Sequence, residues 1–194
     1  MKENYKIVKN AISKESADLL YNAMLYTTPN REPDISVPSA DAYSNSAIGQ
    51  TLLLSLTKKI SEVTGKYVVP TYSYARIYET GNTLALHSDR PSCEYSASMC
   101  IGYDCSNVDE NYNWPMGFKD EEGEVFVHLY PGDMVVYKGV KIPHWRDAFE
   151  GKQQVQMFLH YVDVEGPYSH CIYDNNRNEV YRSRFFPTQH GNLT

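Results

Sequence analysis

The stretch Leu84-Ala85-Leu86-His87-Ser88-Asp89 does most to decide how this chain folds and where its chemistry lies. Its three apolar residues form a strand-like run that leads directly into a histidine. In an extended strand, residues i and i+2 project from the same side, so His87 and Asp89 should point the same way. A metal held by both would need its next ligand from another strand, distant in sequence.

His144 is the candidate for that distant ligand. It follows the apolar segment 134–137, which is predicted to be a strand, and a turn at Lys138-Gly139. Two imidazoles and one carboxylate occupy one face of an octahedral metal and leave the other face open, as in non-heme Fe(II) oxygenases. We therefore predict that His87, Asp89 and His144 are metal ligands. The simpler alternative is that each is a packed or solvated polar residue.

The segments around these residues alternate between polar and apolar side chains. The period becomes two from Tyr67 onward, and strands are predicted again within residues 95–101, 124–130 and 155–162. Residues 104–123 are mostly polar and are predicted to form a long surface loop. Several short strands separated by turns indicate a sandwich or a jelly roll.

Two helices are predicted before these strands. Ser13 suits an N-cap for a helix that ends near Thr27, and Ser44 or Ser46 begins a second helix that Gly65 ends. Residues 29–43 are predicted to form a loop. We expect one domain of mainly β structure with flanking helices (α+β). Its parts would be helical support over about residues 12–65, a β core over about 67–165, and an aromatic segment, 166–194, that packs back onto the core.

Composition limits the possible partners and the compartment. The chain has 194 residues and a formal charge of −6, without the basic clusters that nucleic-acid binding requires. No apolar run reaches membrane-spanning length, and the polar start lacks the hydrophobic region of a secretory signal. The four cysteines form no Cys-x-x-Cys pair, which favours reduced thiols. We therefore predict a cytoplasmic protein with neither a nucleic-acid nor a membrane partner.

Five segments, in this order, resemble the Fe(II)/2-oxoglutarate dioxygenases, specifically their prolyl 4-hydroxylase-like branch. They are residues 76–82 with a tyrosine and a glycine turn, His87-Ser88-Asp89, residues 130–137 with Pro-Gly-Asp, Pro143-His144, and the closing strand 158–163. The likeness covers about residues 68–165. It implies a double-stranded β-helix, which is a jelly roll of the cupin-like kind, with iron at its mouth.

The resemblance also implies an activity and its co-substrates. Fe(II) would be the metal, and 2-oxoglutarate and O2 would be consumed to give succinate and CO2 while a prolyl residue of a peptide or protein is hydroxylated. Ascorbate is a candidate reductant. One alternative is the same chemistry on a small molecule, a nucleobase or another side chain, selected by loops 90–94 and 104–123. Another is a cupin-like binding module without turnover, in which either the three donors would not converge or the pocket would lack an anchor for a carboxylate.

One position departs from the family pattern. Gln154 lies where a basic residue is expected to pair with the C5 carboxylate of 2-oxoglutarate. A buried carboxylate without a cation is costly, so another cation should compensate. Arg146 is the first candidate because it is two residues past His144 and a guanidinium pairs well with a carboxylate. Lys152 and Arg76 are the second and third candidates.

Three further residues bear on this pocket. Gly102 falls where the family often has a larger side chain, and its small size is expected to leave room for Arg146. Tyr78 matches a tyrosine that contacts 2-oxoglutarate in the hydroxylases, and a core tyrosine is the alternative. His160 shares the strand face of Gln154, so it either faces the pocket or is a satisfied core histidine.

Overall fold

A computed structural model describes residues 4–27, 36, 37 and 39–174 of the protein. The helices are α1 (Lys14–Leu25) and α2 (Ala47–Thr64). The strands are β1 (Tyr5–Val8), β2 (Asp41–Ser44), β3 (Val68–Glu79), β4 (Leu84–His87), β5 (Tyr95–Asp104), β6 (Met116–Asp120), β7 (Gly123–Val127), β8 (Met134–Tyr137), β9 (His144–Arg146) and β10 (Gln153–Asp163). Short 3-10 turns occur at Pro91–Cys93 and Ser169–Asp174.

Both helices begin at predicted capping residues. The Ser13 hydroxyl accepts a hydrogen bond from the backbone N–H of Ser16 at 3.2 Å, and the Ser46 hydroxyl accepts one from Gly49 at 3.1 Å. These bonds satisfy N–H groups that have no partner inside a helix. Gly65 ends α2 in the left-handed region at φ 68°, where glycine carries no steric penalty.

The strands form two antiparallel sheets. The large sheet has the order β1-β8-β5-β10-β3-β2, and the small sheet has the order β4-β9-β6-β7. The inner faces of the two sheets share a buried cluster, which combines Cys100 and Val135 of the large sheet with Met116, Phe118 and Val127 of the small one. The predicted fold class, mainly antiparallel β structure with two flanking helices, is therefore confirmed.

The helices cover the outer face of the large sheet. Leu53 and Ile60 of α2 and Met24 of α1 belong to a buried apolar cluster that also contains Met99 of β5 and Met157 of β10. Alternate residues of β10 thus point to opposite sides: Met157 faces the helices, and the neighbouring positions face the space between the sheets. That inner space contains the polar residues considered below.

The turn between β7 and β8 shows why its Pro-Gly-Asp sequence is needed. Gly132 has φ 91°, and a Cβ there would lie 2.6 Å from the carbonyl oxygen of Ile12. Asp133 accepts hydrogen bonds from the backbone N–H groups of Asn10 and Tyr130 and pairs with Lys9 at 2.8 Å. These contacts hold the pKa of its carboxyl below the usual value, although burial opposes them.

Two loop predictions are wrong in part. Residues 104–123 include β6, and within that segment Trp114, Met116 and Phe118 are buried. Only alternate residues of β6 are apolar, so its strand character depends on pairing with β7 and β9. Residues 41–43, assigned to a loop, belong to β2.

The prediction for Gly102 is also wrong. A register shift between β5 and β10 pairs Val155 with Gly102 and Gln156 with Cys100, so Ile101 is the extra residue of a bulge. The bulge turns Gly102 toward the helices, where a Cβ would meet the ring of Tyr21. Gly102 therefore makes room for α1 and not for Arg146.

The chain after β10 is described only as far as Asp174, and its 3-10 turn packs against β3 and β10. The remaining residues of the predicted C-terminal segment, 175–194, lie outside the described part. Each of the four cysteines is a free thiol, and burial raises the pKa of Cys93 and of Cys100 to about 12. Within the described ranges, no helix is both long and apolar enough to cross a membrane.

Candidate metal centre

The three predicted ligands converge at one end of the space between the sheets. Oδ1 of Asp89 lies 3.7 Å from Nε2 of His87 and 3.6 Å from Nε2 of His144. The two imidazole rings are 4.3 Å apart between centroids. The register explains the meeting, because His87 of β4 lies directly opposite His144 of β9. We call these three residues the metal end.

Each imidazole is oriented by a backbone carbonyl two residues earlier. Nδ1 of His87 lies 2.8 Å from the carbonyl oxygen of Ala85, and Nδ1 of His144 lies 3.0 Å from that of Ile142. A carbonyl can only accept, so both Nδ1 atoms donate and both Nε2 atoms keep a free lone pair. This second contact fixes the tautomer that a metal-binding histidine needs.

The two histidines differ in exposure. The side chain of His144 is 2% exposed and packs against the ring of Tyr137 at 4.8 Å, whereas the side chain of His87 is 36% exposed. Burial lowers the pKa of His144, which favours the neutral imidazole that can donate its lone pair to a metal. The donor set is therefore buried on one side and open to solvent on the other.

Arg146 lies on β9, two residues beyond His144, and is 2% exposed. Its guanidinium lies 4.5 Å from the centre of the Trp114 ring and donates to the carbonyl oxygen of Trp114 at 3.1 Å. Its Nε is buried without a hydrogen-bond partner, and burial lowers the pKa of the group. None of the ion pairs in the described ranges involves Arg146.

Tyr78 completes the surroundings of this cation. Its ring is fully buried and meets Trp114 edge-on at 4.9 Å, and its hydroxyl accepts a hydrogen bond from Arg76 at 3.2 Å. Gln154 lies opposite Tyr78 in the sheet, and its amide donates a hydrogen bond to Gln156. Because an amide is neutral, Gln154 cannot supply a cation here. We call Tyr78, Trp114 and Arg146 the closed end.

Lys152 lies elsewhere. Its ammonium donates to the Ser106 hydroxyl at 2.7 Å and lies 3.9 Å from a carboxylate oxygen of Asp104, and its side chain is 55% exposed. Lys152 also lies just before β10, which begins at Gln153, so the alternation of that strand does not direct its side chain inward. The structure therefore places Lys152 at the surface and not with the closed end.

Comparisons with known proteins bear on this arrangement. No family model and no curated protein matches the sequence. Among solved structures, HygX from Streptomyces hygroscopicus with nickel and 2-oxoglutarate bound has a TM-score of 0.66 at 9% identity, covering 84% of each chain. The chain has the 2-oxoglutarate oxygenase fold.

Two further structures with this fold differ in activity. The 2-oxoglutarate-dependent epimerase SnoN of nogalamycin biosynthesis gives a TM-score of 0.64 at 13% identity over 84% of this chain and 77% of its own. A prolyl-4-hydroxylase from Pseudomonas putida gives 0.58 at 13% identity over 82% of this chain and 92% of its own. HygX has also been solved with hygromycin B bound. The jelly-roll oxygenase fold is thus confirmed, and it is shared by proteins of different activity.

Two residues that contact the candidate site residues were not identified from the sequence. Trp114 supports Arg146 but lies in a segment predicted to be a surface loop. Ser96 donates a hydrogen bond to Oδ2 of Asp89 at 2.8 Å. The alternation of β5 places Ser96 on the inner face, but no local signal indicates which residue it meets there.

Proposed function

We propose that the protein is an Fe(II)- and 2-oxoglutarate-dependent hydroxylase. The observation that carries the proposal is the convergence of His87, Asp89 and His144, with both Nε2 lone pairs free and one side of the group open. Two nitrogens and a carboxylate oxygen suit ferrous iron, and three ligands leave positions for a co-substrate and O2. With 2-oxoglutarate and O2, the bound iron would supply the oxidation that hydroxylates a C–H bond and releases succinate and CO2.

The closed end would hold the far carboxylate of 2-oxoglutarate. Arg146 is a buried cation without a carboxylate partner in the described ranges, and such a charge is expensive unless an anion joins it. The planar guanidinium suits a carboxylate, and its stacking on Trp114 fixes its orientation. Tyr78 would line the same pocket. Arg76 is the alternative cation, because it bonds to the Tyr78 hydroxyl.

The remaining task of the protein is to position the substrate and exclude water. Tyr72, Tyr74 and Phe158 present aromatic rings to the inner space, and the Arg76 guanidinium lies 5.2 Å from the centre of the Tyr74 ring and 5.7 Å from that of Phe158. These rings would form the wall beside a bound substrate. Ascorbate would serve as a reductant.

For the substrate we propose a prolyl residue of a peptide or protein. The order of sequence segments supports it, and a prolyl-4-hydroxylase is among the similar structures. A small-molecule substrate is the second candidate, supported by the hygromycin B bound to HygX. A binding module without turnover is disfavoured, because the three donors converge and the buried Arg146 is available to anchor a carboxylate. The free thiols support a reducing compartment, consistent with a cytoplasmic location.

The test is release of succinate with purified protein, Fe(II), 2-oxoglutarate and O2, with prolyl peptides and a small-molecule library supplied in parallel. Turnover should require Fe(II) and should be lost in Asp89→Ala and His87→Ala. His128→Ala is the matched control, because His128 is exposed and its Nδ1 lies 3.2 Å from the side-chain oxygen of Asn113, which is not part of the metal end. Normal turnover by Asp89→Ala would refute the mechanism. Turnover with small molecules alone would refute the prolyl assignment.

A further inference from the structure

A second group of donors lies directly behind the metal end. Atoms of Asp89, Cys93 and His160 that could bind a metal all lie within 4.8 Å of one another. However, the Ser96 hydroxyl bridges this group, at 2.8 Å from Oδ2 of Asp89 and 2.9 Å from Nδ1 of His160. An ion shared by these donors would have to displace that hydroxyl, so the group is better described as a hydrogen-bonded chain.

The direction of this chain follows from the available protons. An ionised carboxylate can only accept, and Oδ2 of Asp89 lies 2.8 Å from the Ser96 hydroxyl, closer than the Cys93 carbonyl oxygen at 3.3 Å, so the single proton of that hydroxyl goes to Asp89. The Ser96 oxygen must then accept from His160, which requires the proton on Nδ1 of that imidazole. The chain therefore runs from His160 through Ser96 to Oδ2 of Asp89, and it leaves Oδ1 directed at the two metal-end histidines.

The chain is held rigidly from both sides. His160 is 5% exposed, and its ring lies 4.4 Å from that of Tyr72. On the other side is Gly139, whose carbonyl accepts from the backbone N–H of Asp89 at 2.9 Å. A Cβ on Gly139 would collide with Oδ2 of Asp89 and would lie 2.8 Å from the Ser96 hydroxyl. Neither the carboxylate nor the serine can therefore rotate freely.

We infer that His160 is a positioning residue, which acts through Ser96 to hold one oxygen of Asp89 away from the metal. Asp89 would then hold a metal through Oδ1 alone, and the coordination position that a second carboxylate oxygen would take would stay available for a co-substrate. This inference rests on the proposed function, since it concerns the carboxylate of the same metal end.

The experiment compares two amides at position 160. In His160→Asn the amide nitrogen can occupy the place of Nδ1 and donate to Ser96, whereas the longer side chain in His160→Gln puts its amide nearer the place of Nε2. Mn(II) affinity is measured from the electron paramagnetic resonance of the free ion. We expect His160→Gln and Ser96→Ala to bind Mn(II) at least about 10-fold more weakly, and His160→Asn to stay within about threefold of the wild type.

Ser98→Ala is the matched control. It removes a buried hydroxyl from the same face of β5, where Ser98 accepts a hydrogen bond from Gln156 and donates none to Asp89. Its Mn(II) affinity should match the wild type, and thermal unfolding should show that the compared variants are folded. The inference is overturned if His160→Gln and Ser96→Ala bind Mn(II) as the wild type does, or if Asn and Gln at 160 weaken binding equally. A wild type that binds no Mn(II) would instead refute the proposed function.

Discussion

The metal end and the closed end each include a residue of strand β9, yet they differ in their access to water. In the β4–β9 pairing, His87 lies opposite His144 and Leu84 lies opposite Arg146. The His87 side chain is 36% exposed, whereas Arg146 as a residue is 2% exposed. The metal end is open on one side and can exchange ligands with solvent. The closed end is shielded from solvent, and we propose that 2-oxoglutarate balances its positive charge.

The largest effect is expected at the closed end. Arg146→Gln keeps a polar side chain but removes the cation, so the affinity for 2-oxoglutarate should fall by about 100-fold. Mn(II) binding without 2-oxoglutarate should change little, because the three metal-end donors remain. Calorimetric titration of 2-oxoglutarate into the Mn(II)-loaded protein measures the first effect, and an electron paramagnetic resonance titration with Mn(II) alone measures the second.

Lys152→Gln is the control for this result, since it removes a cation at the surface. Its 2-oxoglutarate affinity should equal that of the wild type. If Arg146→Gln also kept wild-type affinity while Arg76→Gln lost it, the anchoring cation would be Arg76, and the buried charge of Arg146 would need another explanation.

A smaller effect is expected from crowding the metal end. Gly139→Ala places a methyl group against the Asp89 carboxylate and the carbonyl oxygen of Cys93, and the backbone carbonyl is the harder of the two to move. Asp89 should therefore shift, and Mn(II) affinity should fall by about 10-fold. The electron paramagnetic resonance titration used for His160 measures this change.

Gly151→Ala is a comparable substitution close to the closed end. It crowds Phe149 and Cys105, and Phe149 packs against Trp114 with ring centroids 4.9 Å apart. This variant should bind Mn(II) like the wild type. Equal loss of Mn(II) affinity in both glycine variants would mean that general destabilisation, and not the position of Asp89, controls binding.

The Pro-Gly-Asp turn should make stability depend on acidity. Asp133 has a pKa below the usual 3.8 in the folded protein, so its contribution is complete above about pH 4 and is lost as the pH falls through the lower folded-state value. Asp133→Asn should cost about 2 kcal/mol at neutral pH, with the difference from the wild type shrinking below pH 4. Urea unfolding of both proteins at about six pH values between about pH 2.5 and pH 7 would measure this difference in unfolding free energy. A difference that does not vary with pH would contradict it.

The smallest effect is expected at Gly102, where β5 packs against α1. Gly102→Ala would bring a methyl group to 2.6 Å from the Tyr21 ring, which has to move. We expect a loss of about 1 kcal/mol in unfolding free energy and unchanged 2-oxoglutarate affinity. Denaturant unfolding measures the change in stability, and calorimetry measures the affinity for 2-oxoglutarate. A loss of that affinity would mean that Gly102 lines the co-substrate pocket after all.

Local patterns in the sequence were enough to predict the features that depend on neighbouring residues. The caps at Ser13 and Ser46 and the left-handed Gly65 follow from chemistry within one turn of each helix. The shared direction of His87 and Asp89 follows from the period of a strand. His144 needed more than spacing, and its selection came from the strand and turn that precede it together with the ordered set of family-like segments.

Features that depend on contacts between distant strands could not be predicted in this way. A single bulge at Ile101 reverses the side to which Gly102 points, and no residue type marks it. The strand β6 exists because β7 and β9 pair with it. Ser96 and His160 lie 64 residues apart, and their link to Asp89 appears only when β5 and β10 are adjacent.

The most direct test is an anaerobic titration of the Fe(II)-loaded protein with 2-oxoglutarate, followed by visible absorption. Chelation of ferrous iron by a 2-oxo acid produces a charge-transfer band, which requires two open positions beside the three protein ligands. We predict a band that saturates at one equivalent, is absent in Asp89→Ala, and needs more 2-oxoglutarate in Arg146→Gln. A wild-type protein that binds Fe(II) but gives no band at saturating 2-oxoglutarate would contradict the account.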